Sequence, residues 1–482
     1  MKKLLSLLMA VSMVLAFMLT SCGEKETANG ASSGIGSSEA GTNSQASESE
    51  ESSKVSSESS EESTPSKDEE SSSEKASTSS KPKFEITTTS ANLRNENTSK
   101  KPQNNNTTTT SSKKTTTTSS QAPVVNVKLD PITEEKYYGW LELSKNGTEA
   151  EKKAYKLFAE KFGNYEKKIE FDFDITKEEV EKAYNYYIDD YPQHFWRGNT
   201  RSYTFLGNKV LDISLSKMLY DGDKAKIKAM DDKVKAAADK VLKGVNSSMT
   251  AFDREVYLHN YIINNCKYDT SYKAENAHNM YGALVNGVAV CEGYAYAFQY
   301  LARLAGIQCI VVKGNLNNGN STESHAWNMV ELDGKYYHID VTSDDPVMNG
   351  GSTQVLEFTY FNLTDSQIKT DHIIKGNNHI IPAATATKYN YFDHLGLRFS
   401  SYTVDGFASA LAYAARNKYE QASMAFTNWD ISAISSFLSK NYFAIIDAAN
   451  NKLGKEVIAS SNNINFRKKE SHKTFSLTIV YK

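Results

Sequence analysis

The sequence has few cysteines: its 482 residues include four, Cys22, Cys266, Cys291 and Cys309. If Cys22 is modified, as argued below, three thiols remain, and an odd number cannot all pair within one chain. Cys309 lies in an apolar run and is predicted to be buried and inert. No second pair of soft ligands at metal spacing accompanies a cysteine, so we expect neither a metal nor another cofactor.

Long apolar runs are also lacking. The apolar segment Leu4–Met18 follows two lysines and is short for a membrane span. Leu19–Ser21 then leads into Cys22, a pattern that looks like the lipobox of bacterial lipoproteins. We predict a signal peptide over residues 1–22, lipid on Cys22, and a cell-surface protein anchored to the outer face of the bacterial cytoplasmic membrane. An ordinary signal peptide or an uncleaved helix is the alternative.

Apolar residues are almost absent from residues 23–123, which consist mainly of Ser, Thr, Glu, Asn and Lys. Such a segment cannot bury enough apolar surface to fold, so we predict a disordered tether. The tether also dilutes the whole-chain mean hydropathy, which is −0.54. The rest of the chain is of ordinary globular composition and is long enough for two or three domains.

An excess of one charge is lacking as well, because the formal net charge is only −3. The Lys-rich stretch 221–245 has the pattern of a solvated amphipathic helix whose basic residues are balanced by acids. This balance gives no indication of nucleic-acid binding, and we expect no nucleic-acid partner. The helix at 221–245, a hairpin around Gly207–Asn208 and further helices together predict an α+β accessory domain over residues 124–250.

The segment Gly287–Gly306 delivers Cys291 to the first turn of a predicted buried helix, which Gly306 ends. A thiol at a helix N-terminus faces unpaired N–H groups and the positive end of the helix dipole, which favour the thiolate and increase its nucleophilicity. On position alone, a small buried core cysteine is an equally good interpretation. The apolar or small positions that define the helix face are Tyr294, Ala295, Phe298, Leu301, Ala302 and Ala305.

A second pattern lies at residues 325–342, where two alternating runs flank Asp333–Gly334. This dipeptide is the strongest short-range signal for a two-residue hairpin turn. A turn at this position sets Trp327 opposite Asp340 and puts His325 on the same face as Asp340, as a diagonal neighbour about 7–8 Å away at Cβ. An imidazole and a carboxylate can hydrogen-bond at that separation, so the hairpin alone builds a base and the acid that orients it.

A cysteine at a helix N-terminus, followed by a histidine and an aspartate on adjacent strands, resembles the transglutaminase-like superfamily with its papain-like triad. The similarity covers roughly residues 251–375. It implies that Cys291 is the nucleophile, His325 the base and Asp340 the residue that orients the base. The matching segments are Tyr281–Ala295, Ala305–Gly314, His325–Asn328, His338–Thr342, Asp344–Pro346 and Tyr360–Asn362.

The resemblance also implies the fold, an α+β papain-like core in which the helix that bears the cysteine packs on an antiparallel sheet. We place this catalytic domain at residues 251–387, after the N-terminal accessory domain and before a second α+β accessory domain at 388–482. In that last segment, a helix near Asp430–Lys440 is followed by a strand-like run at Tyr442–Ile446.

The implied function is that of an extracellular thiol enzyme, a cysteine peptidase, an amidase or a transglutaminase. It would act through a thioester on amide bonds of proteins or peptides, cell-wall peptides among them. Water as the acceptor gives hydrolysis, a lysine amine gives cross-linking, and the sequence leaves both open. The expected substrate contacts are Trp196, Trp327 and Tyr294, with buried packing as the alternative for Trp196. A non-catalytic surface-binding module on the same fold is the rival interpretation, and it predicts an unreactive Cys291.

Overall fold

The computed structural model describes residues 129–482, except 199, 247, 318–320, 347–354, 376–379 and 462–463. The predicted signal peptide, the predicted lipidation site Cys22 and the predicted tether at 23–123 lie outside the described residues. Among the residues that are described, no helix is long and apolar enough to cross a membrane. The fold is α+β, and its helices and strands follow one another in three groups.

The first group surrounds a small antiparallel sheet. In chain order it consists of α1 (Tyr138–Asn146), α2 (Glu149–Gly163), β1 (Lys168–Glu170), α3 (Lys177–Asp190), β2 (Arg201–Leu206), β3 (Lys209–Leu215) and α4 (Lys224–Leu242). The strand order is β1-β3-β2, and the hairpin of β2 and β3 turns at the predicted Gly207–Asn208. Helices α2 and α3 begin at capping boxes, in which Thr148 and Thr176 exchange hydrogen bonds with a glutamate three residues on.

The second group carries the three residues of the predicted triad. It consists of α5 (Ala251–Asn265), β4 (Lys267–Tyr268), β5 (Val288–Ala289), α6 (Cys291–Leu304), β6 (Cys309–Asn317), β7 (Thr322–Leu332), β8 (Lys335–Ile339), α7 (Asp365–Ile368) and β9 (His372–Ile374). Strands β6 to β9 form an antiparallel sheet in the order β8-β7-β6-β9. Helix α6 packs against β6 and β7 of this sheet, as the resemblance implies.

The hairpin of β7 and β8 turns at Asp333–Gly334. These two residues have positive φ values of 51° and 70°, as the mirror-image turns of two-residue hairpins require. Leu332 pairs with Lys335, so the predicted register of the two strands is confirmed.

Asp340 lies just beyond the end of β8. The sequence predicts that it pairs with Trp327, but the pairing of β7 with β8 ends at Ile339. The backbone N–H of Asp340 instead donates to the carbonyl oxygen of Tyr360 at 3.1 Å. The chain therefore leaves the sheet at Asp340, and this residue begins a turn.

The third group is built on a four-stranded sheet. It consists of α8 (Tyr391–His394), β10 (Arg398–Phe399), α9 (Val404–Arg416), β11 (Gln421–Phe426), α10 (Ile431–Leu453), β12 (Phe466–Lys469) and β13 (Thr474–Thr478). The strand order is β10-β11-β13-β12. The predicted strand-like run at Tyr442–Ile446 is wrong, because these residues continue α10. Leu438, Tyr442, Ile445 and Ala449 are buried along this helix, and that helical spacing outweighs the strand propensity of the run.

The three groups share one apolar core, which extends in sequence from Leu143 to Ile479. A second, smaller cluster lies on the other face of the central sheet and includes Trp327, Met329 and Tyr360. The domain boundaries at 250/251 and 387/388 stay predictions, and on both sides of each boundary the chain packs into the same core.

Helix α6 is held in place by a buried ion pair between Arg303 and Asp190 of α3. Arg303 Nη2 lies 3.1 Å from Asp190 Oδ1, and neither side chain is more than 4% exposed. Asp190 also accepts hydrogen bonds from the backbone N–H of Trp140 at 2.9 Å and the hydroxyl of Tyr155 at 2.7 Å. Arg303 Nε donates to the carbonyl oxygen of Cys309 at 3.0 Å. Because buried charges are unfavourable unless paired and hydrogen-bonded, this network fixes α6 against both α3 and β6.

Glu255 of α5 is a buried acid that should make the stability of the fold depend on pH. Its Oε2 accepts a hydrogen bond from Asn362 Nδ2 at 2.8 Å, while its Oε1 has no hydrogen-bond partner within the described part of the chain. Burial raises the pKa of Glu255 to about 8. A folded-state pKa above the unfolded value contributes stability that is complete below the unfolded pKa and is lost as the pH rises through about 8.

We predict that Glu255→Gln removes this pH dependence. Between about pH 5 and pH 8 the wild type should lose stability relative to the variant, by up to ~1.4 kcal/mol per pH unit. Urea unfolding at both pH values measures the difference, and replacement of the exposed Glu275 by Gln is the matched control. An equal difference between wild type and Glu255→Gln at the two pH values would show that Glu255 does not titrate in this range.

Candidate active site

Cys291 is the first residue of α6 and is partly exposed. The preceding N-cap residue is Val290, whose side chain makes no capping hydrogen bond, so a thiol here shares the helix start with first-turn N–H groups. The backbone N–H of Val290 donates to the carbonyl oxygen of Ala277 at 3.0 Å. Gly293 allows this approach, because a Cβ at its position would overlap the same oxygen. The local sequence thus holds Cys291 at a fixed point.

His325 connects the cysteine with the aspartate. Its Nε2 lies 2.8 Å from Asp340 Oδ2, and the Cys291 thiol lies close enough to the same imidazole to help raise its pKa. Because Nε2 is occupied by Asp340, the contact with sulfur is left to Nδ1. The structure therefore brings the three residues together in the order Sγ, imidazole, carboxylate, with each partner on its own ring nitrogen.

The electrostatics of the pair favour a charged imidazole. Burial alone would lower the pKa of His325, but the charge and hydrogen bond of Asp340, together with the Cys291 contact, raise it to about 10. Burial opposes ionisation of Asp340 as well, yet its histidine partners hold the pKa of this carboxyl well below its usual range. Asp340 Oδ1 also accepts the backbone N–H groups of Thr342 at 3.0 Å and Ser343 at 3.1 Å. His325 is thus held as an imidazolium near neutral pH.

A second histidine, His372 of β9, shares the carboxylate of Asp340, although the sequence gives it no role. Its Nε2 lies 3.0 Å from Asp340 Oδ2, and its Nδ1 lies 2.8 Å from Asp371 Oδ1. The position depends on the pairing of β9 with β6, where a Cβ on Gly314 would overlap the carbonyl oxygen of Ile373. A three-residue strand whose partner strand is distant in sequence carries no local signal, so the role of His372 could not be identified from the sequence.

Trp327 and His338 complete this face of the sheet. The Trp327 ring is stacked beside His325 with centroids 6.0 Å apart and meets His372 edge to face at 4.9 Å. Its Nε1 donates to His338 Nδ1 at 3.1 Å, and His338 Nε2 lies 2.9 Å from Asp365 Oδ1. Because the ring nitrogens of His338 are bonded to Trp327 and Asp365, whereas His325 lies beside Cys291, His325 is the better candidate for the base.

Residues 235–341 match the family model of the transglutaminase-like superfamily. The chain contains a transglutaminase-like domain. The matched range includes Cys291, His325 and Asp340 and ends before His372, which lies 32 positions beyond Asp340. The second histidine therefore lies outside the matched range.

Two curated relatives resemble this chain over a short stretch. Kyphoscoliosis peptidase of Homo sapiens is 40% identical over 60 residues, and that of Mus musculus is 38% identical over 60 residues. Each match covers 11% of this chain and 9% of the relative. A solved crystal structure of a TGase is 16% identical, covers 36% of this chain and 50% of its own, and superposes with a TM-score of 0.21.

The three expected substrate contacts around the transglutaminase-like domain are buried. Trp196 is 2% exposed, and its Nε1 donates to the carbonyl oxygen of Phe162 at 3.1 Å. Trp327 and Tyr294 are both 0% exposed, and the hydroxyl of Tyr294 donates to Asp345 Oδ2 at 2.8 Å. A buried side chain offers no surface to a substrate, so the expectation does not hold in this structure, and the packing alternative for Trp196 does.

Three groups at the site lie close enough to hold a metal ion. The ligand atoms of His325, Asp340 and His372 are within 4.8 Å of one another. A metal would need both Nε2 atoms unprotonated, whereas both lie at hydrogen-bonding distance from one carboxylate oxygen, Oδ2. It would also remove the carboxylate that orients His325 toward Cys291. The geometry therefore favours a hydrogen-bonded site, and the absence of a metal requirement stays a prediction.

We predict that iodoacetamide modifies Cys291 first in the folded transglutaminase-like domain. Cys291 is partly exposed, whereas Cys266 and Cys309 are buried. Burial raises the pKa of Cys266 to about 12 and also raises the pKa of Cys309, so both stay protonated thiols. Peptide mapping by mass spectrometry should find the label on Cys291 before unfolding and on the other two only after it.

The control is Cys291→Ser, which should leave residues 129–482 unlabelled while the protein is folded. Rapid labelling of Cys266 or Cys309 in the native protein would contradict the buried positions described above.

Proposed function

We propose that the protein is a thiol enzyme that cleaves or transfers amide bonds of proteins or peptides. Cys291 is the nucleophile, His325 the base and Asp340 the orienting acid. The observation that carries the proposal is the single imidazole that contacts both the thiol at the helix start and a buried carboxylate. A transglutaminase-like domain supports an enzyme of this superfamily.

The first half of the reaction forms a thioester. The imidazolium of His325 leaves the sulfur of Cys291 as a thiolate, which attacks the carbonyl carbon of the amide and forms a C–S bond. The proton on Nδ1 of His325 then passes to the leaving nitrogen as the C–N bond breaks. The backbone N–H of Cys291 is the one oxyanion donor that we nominate, because it lies at the start of α6.

The second half returns the enzyme to its starting state. The acceptor, water or a lysine amine, gives a proton to Nδ1 of His325 and attacks the thioester carbon. The C–S bond breaks, and the thiolate of Cys291 is regenerated. Throughout, Asp340 holds Nε2 of the ring, so the other nitrogen always faces the sulfur.

Tyr268 near the thiol and its neighbour Tyr272 are better candidates for substrate contacts than the buried residues expected from the sequence. Tyr268 lies near enough to Cys291 for the thiolate to raise the pKa of its hydroxyl, which burial raises first. The ring of Tyr272 meets that of Tyr268 edge to face at 6.3 Å and is 58% exposed. Partly exposed rings of this kind suit the side chains and amide planes of a peptide.

Both acceptors stay within the proposal. One similar protein is named a peptidase and another a TGase, and hydrolysis and amine transfer share the same thioester. Incubation of the acyl-enzyme with a lysine-like primary amine separates them, since cross-linking gives an amide product and hydrolysis gives only the acid.

The proposed place of action is the cell surface. The apolar segment and the Cys22 pattern at residues 1–22 support lipid attachment, and residues 23–123 would separate the enzyme from the membrane. An enzyme tethered in this way would meet extracellular proteins or cell-wall peptides.

We predict that four alanine variants separate the base from its neighbours. With an activated amide or ester, Cys291→Ala should form no acyl-enzyme, and His325→Ala should slow its formation by on the order of 10²–10⁴-fold. Asp340→Ala should also slow it strongly, because the ring loses its tautomer and orientation. His338→Ala should cost less than about tenfold, because it removes packing and leaves the proton path intact.

Mass spectrometry of the trapped acyl-enzyme measures the four rates, and circular dichroism checks that each variant is folded. An inactive His338→Ala variant beside an active His325→Ala variant would show that His338, and not His325, is the base. An active Cys291→Ala would remove the enzyme proposal and favour the binding-module alternative.

We predict further that the wild-type protein incorporates a labelled fatty acid in its bacterial host and that Cys22→Ala does not. The variant should be released from the membrane fraction or keep its signal peptide, because the modified residue is missing. Absence of label on the wild type would contradict the lipid anchor and leave the catalytic proposal untouched.

A further inference from the structure

The carboxylate of Asp340 is shared by two histidines, and only one of them contacts the cysteine. Asp340 is 0% exposed, and its Oδ2 lies 2.8 Å from Nε2 of His325 and 3.0 Å from Nε2 of His372. The two rings lie 5.4 Å apart between centroids. Since a carboxylate oxygen can only accept, both Nε2 atoms must carry protons.

The other nitrogen of His372 also faces a carboxylate. Its Nδ1 lies 2.8 Å from Asp371 Oδ1, so this nitrogen must donate as well. A histidine that donates from both nitrogens is an imidazolium. Burial opposes this charge, but the hydrogen bonds to Asp340 and Asp371 outweigh it and raise the pKa of His372.

Asp371 is in turn held by Tyr360 and by groups from the third part of the fold. Its Oδ2 accepts a hydrogen bond from the hydroxyl of Tyr360 at 2.6 Å and lies 3.2 Å from Nζ of Lys469 in β12. His472 Nδ1 lies 3.8 Å from the same oxygen. Charges thus alternate from Lys469 through Asp371 and His372 to Asp340, and the line ends at the base.

We propose that His372 is a positioning residue of the enzyme, which holds the buried carboxylate of Asp340 in place and is itself held by Asp371 and Lys469. This role rests on the proposed function, because it acts only through His325. The role of His372 also makes the C-terminal segment, residues 388–482, part of the catalytic apparatus, because Lys469 lies in this segment. Nothing in the triad itself supplies this support.

The charged and titratable groups that face or surround His372 come from several elements. Besides His325 and the two carboxylates bound to His372, these groups are Tyr360, His338, His472, Asp365 and Lys369. Asp365 is paired with His338, and Tyr360 with Asp371. Among the described residues, His372 is therefore the one group besides His325 that donates to Asp340 Oδ2.

The test uses the full chain and p-nitrophenyl acetate as the acyl donor. His372→Ala removes both hydrogen bonds and should lower kcat by about 10- to 100-fold with a smaller change in KM, as losses of orienting partners do. His372→Gln keeps an N–H donor at the position of Nε2, so it should restore most of that loss. Circular dichroism and urea unfolding identify any variant that fails to fold.

Nuclear magnetic resonance provides a readout that a packing role would not move. With ¹⁵N-labelled histidine at a pH just above the ordinary pKa of histidine, His372 should show two protonated ring nitrogens, whereas an ordinary histidine is mostly neutral there. The two signals should be assigned by their loss in His372→Gln. Detection of a neutral His372 would overturn the proposal, as would wild-type kcat in His372→Ala or a His372→Gln variant as slow as His372→Ala.

Neighbouring lysines of β12 test the contribution of the C-terminal segment. Lys469→Met removes the contact with Asp371 and should lower kcat by about two- to fivefold, the range expected for a partly exposed ion pair. Lys468→Met is the matched control, because Lys468 lies near Glu470 instead, and it should keep the wild-type rate. If Lys469→Met and Lys468→Met have equal kcat values, Lys469 does not contribute and the proposal holds for His372 and Asp371 alone.

The failures can be told apart. If Cys291→Ala turns over the ester like the wild type, the proposed function itself is wrong. If Cys291→Ala is inactive while His372→Ala keeps the wild-type kcat, only the positioning role is wrong. Activity that is lost with a chelator and restored by Zn²⁺ would assign His325, Asp340 and His372 to a metal and overturn the hydrogen-bonded arrangement.

Discussion

The buried carboxylate of Asp340 is the constraint around which this site is built. An unpaired charge in a protein interior costs several kcal/mol, so every lone pair of such a group needs a donor. The donors come from the turn after β8, from His325 of β7 and from His372 of β9. Strands β7 and β9 lie on either side of β6. Gly314 of β6 has no side chain, so the backbone of β9 and the ring of Trp327 can both pack closely against it. The sheet order is therefore part of the electrostatics.

Cys291, the proposed nucleophile, is positioned by a separate set of contacts. Arg303 and Asp190 tie α6 to the first group of helices, while Gly293 lets the preceding loop pack against the helix start. His325, the proposed base, comes from the hairpin. Asp340 is also supported by His372 of β9, whose partner Asp371 contacts Lys469 near the end of the chain. Reactive groups must meet within a fraction of an ångström, and here their positions depend on all three groups of elements that share the core.

The sequence predicts those parts of the site that depend on short-range pattern. The turn at Asp333–Gly334 is a local signal, so the register of β7 with β8, and with it the pairing of His325 with Asp340, could be predicted. His372 could not, because β9 reaches its place by pairing with a strand that is distant in sequence. The run at Tyr442–Ile446 fails for a related reason: its strand propensity is local, whereas its helical state is decided by tertiary burial along α10. Trp196 shows the same limit, since aromatic residues predict packing and substrate contact equally well until burial is known.

The unequal exposure of the cysteines has a consequence under oxidising conditions. Peroxide converts a reactive thiolate to a sulfenic acid, which a nearby second thiol can trap as a reversible disulfide. In the described part of the chain the other two thiols, Cys266 and Cys309, are buried, so neither is available as such a partner. A sulfenic acid at Cys291 would persist until a small thiol from the surroundings reduced it or a second oxidation made the damage permanent. The working life of the enzyme would then be set by the redox state of its environment rather than by its fold.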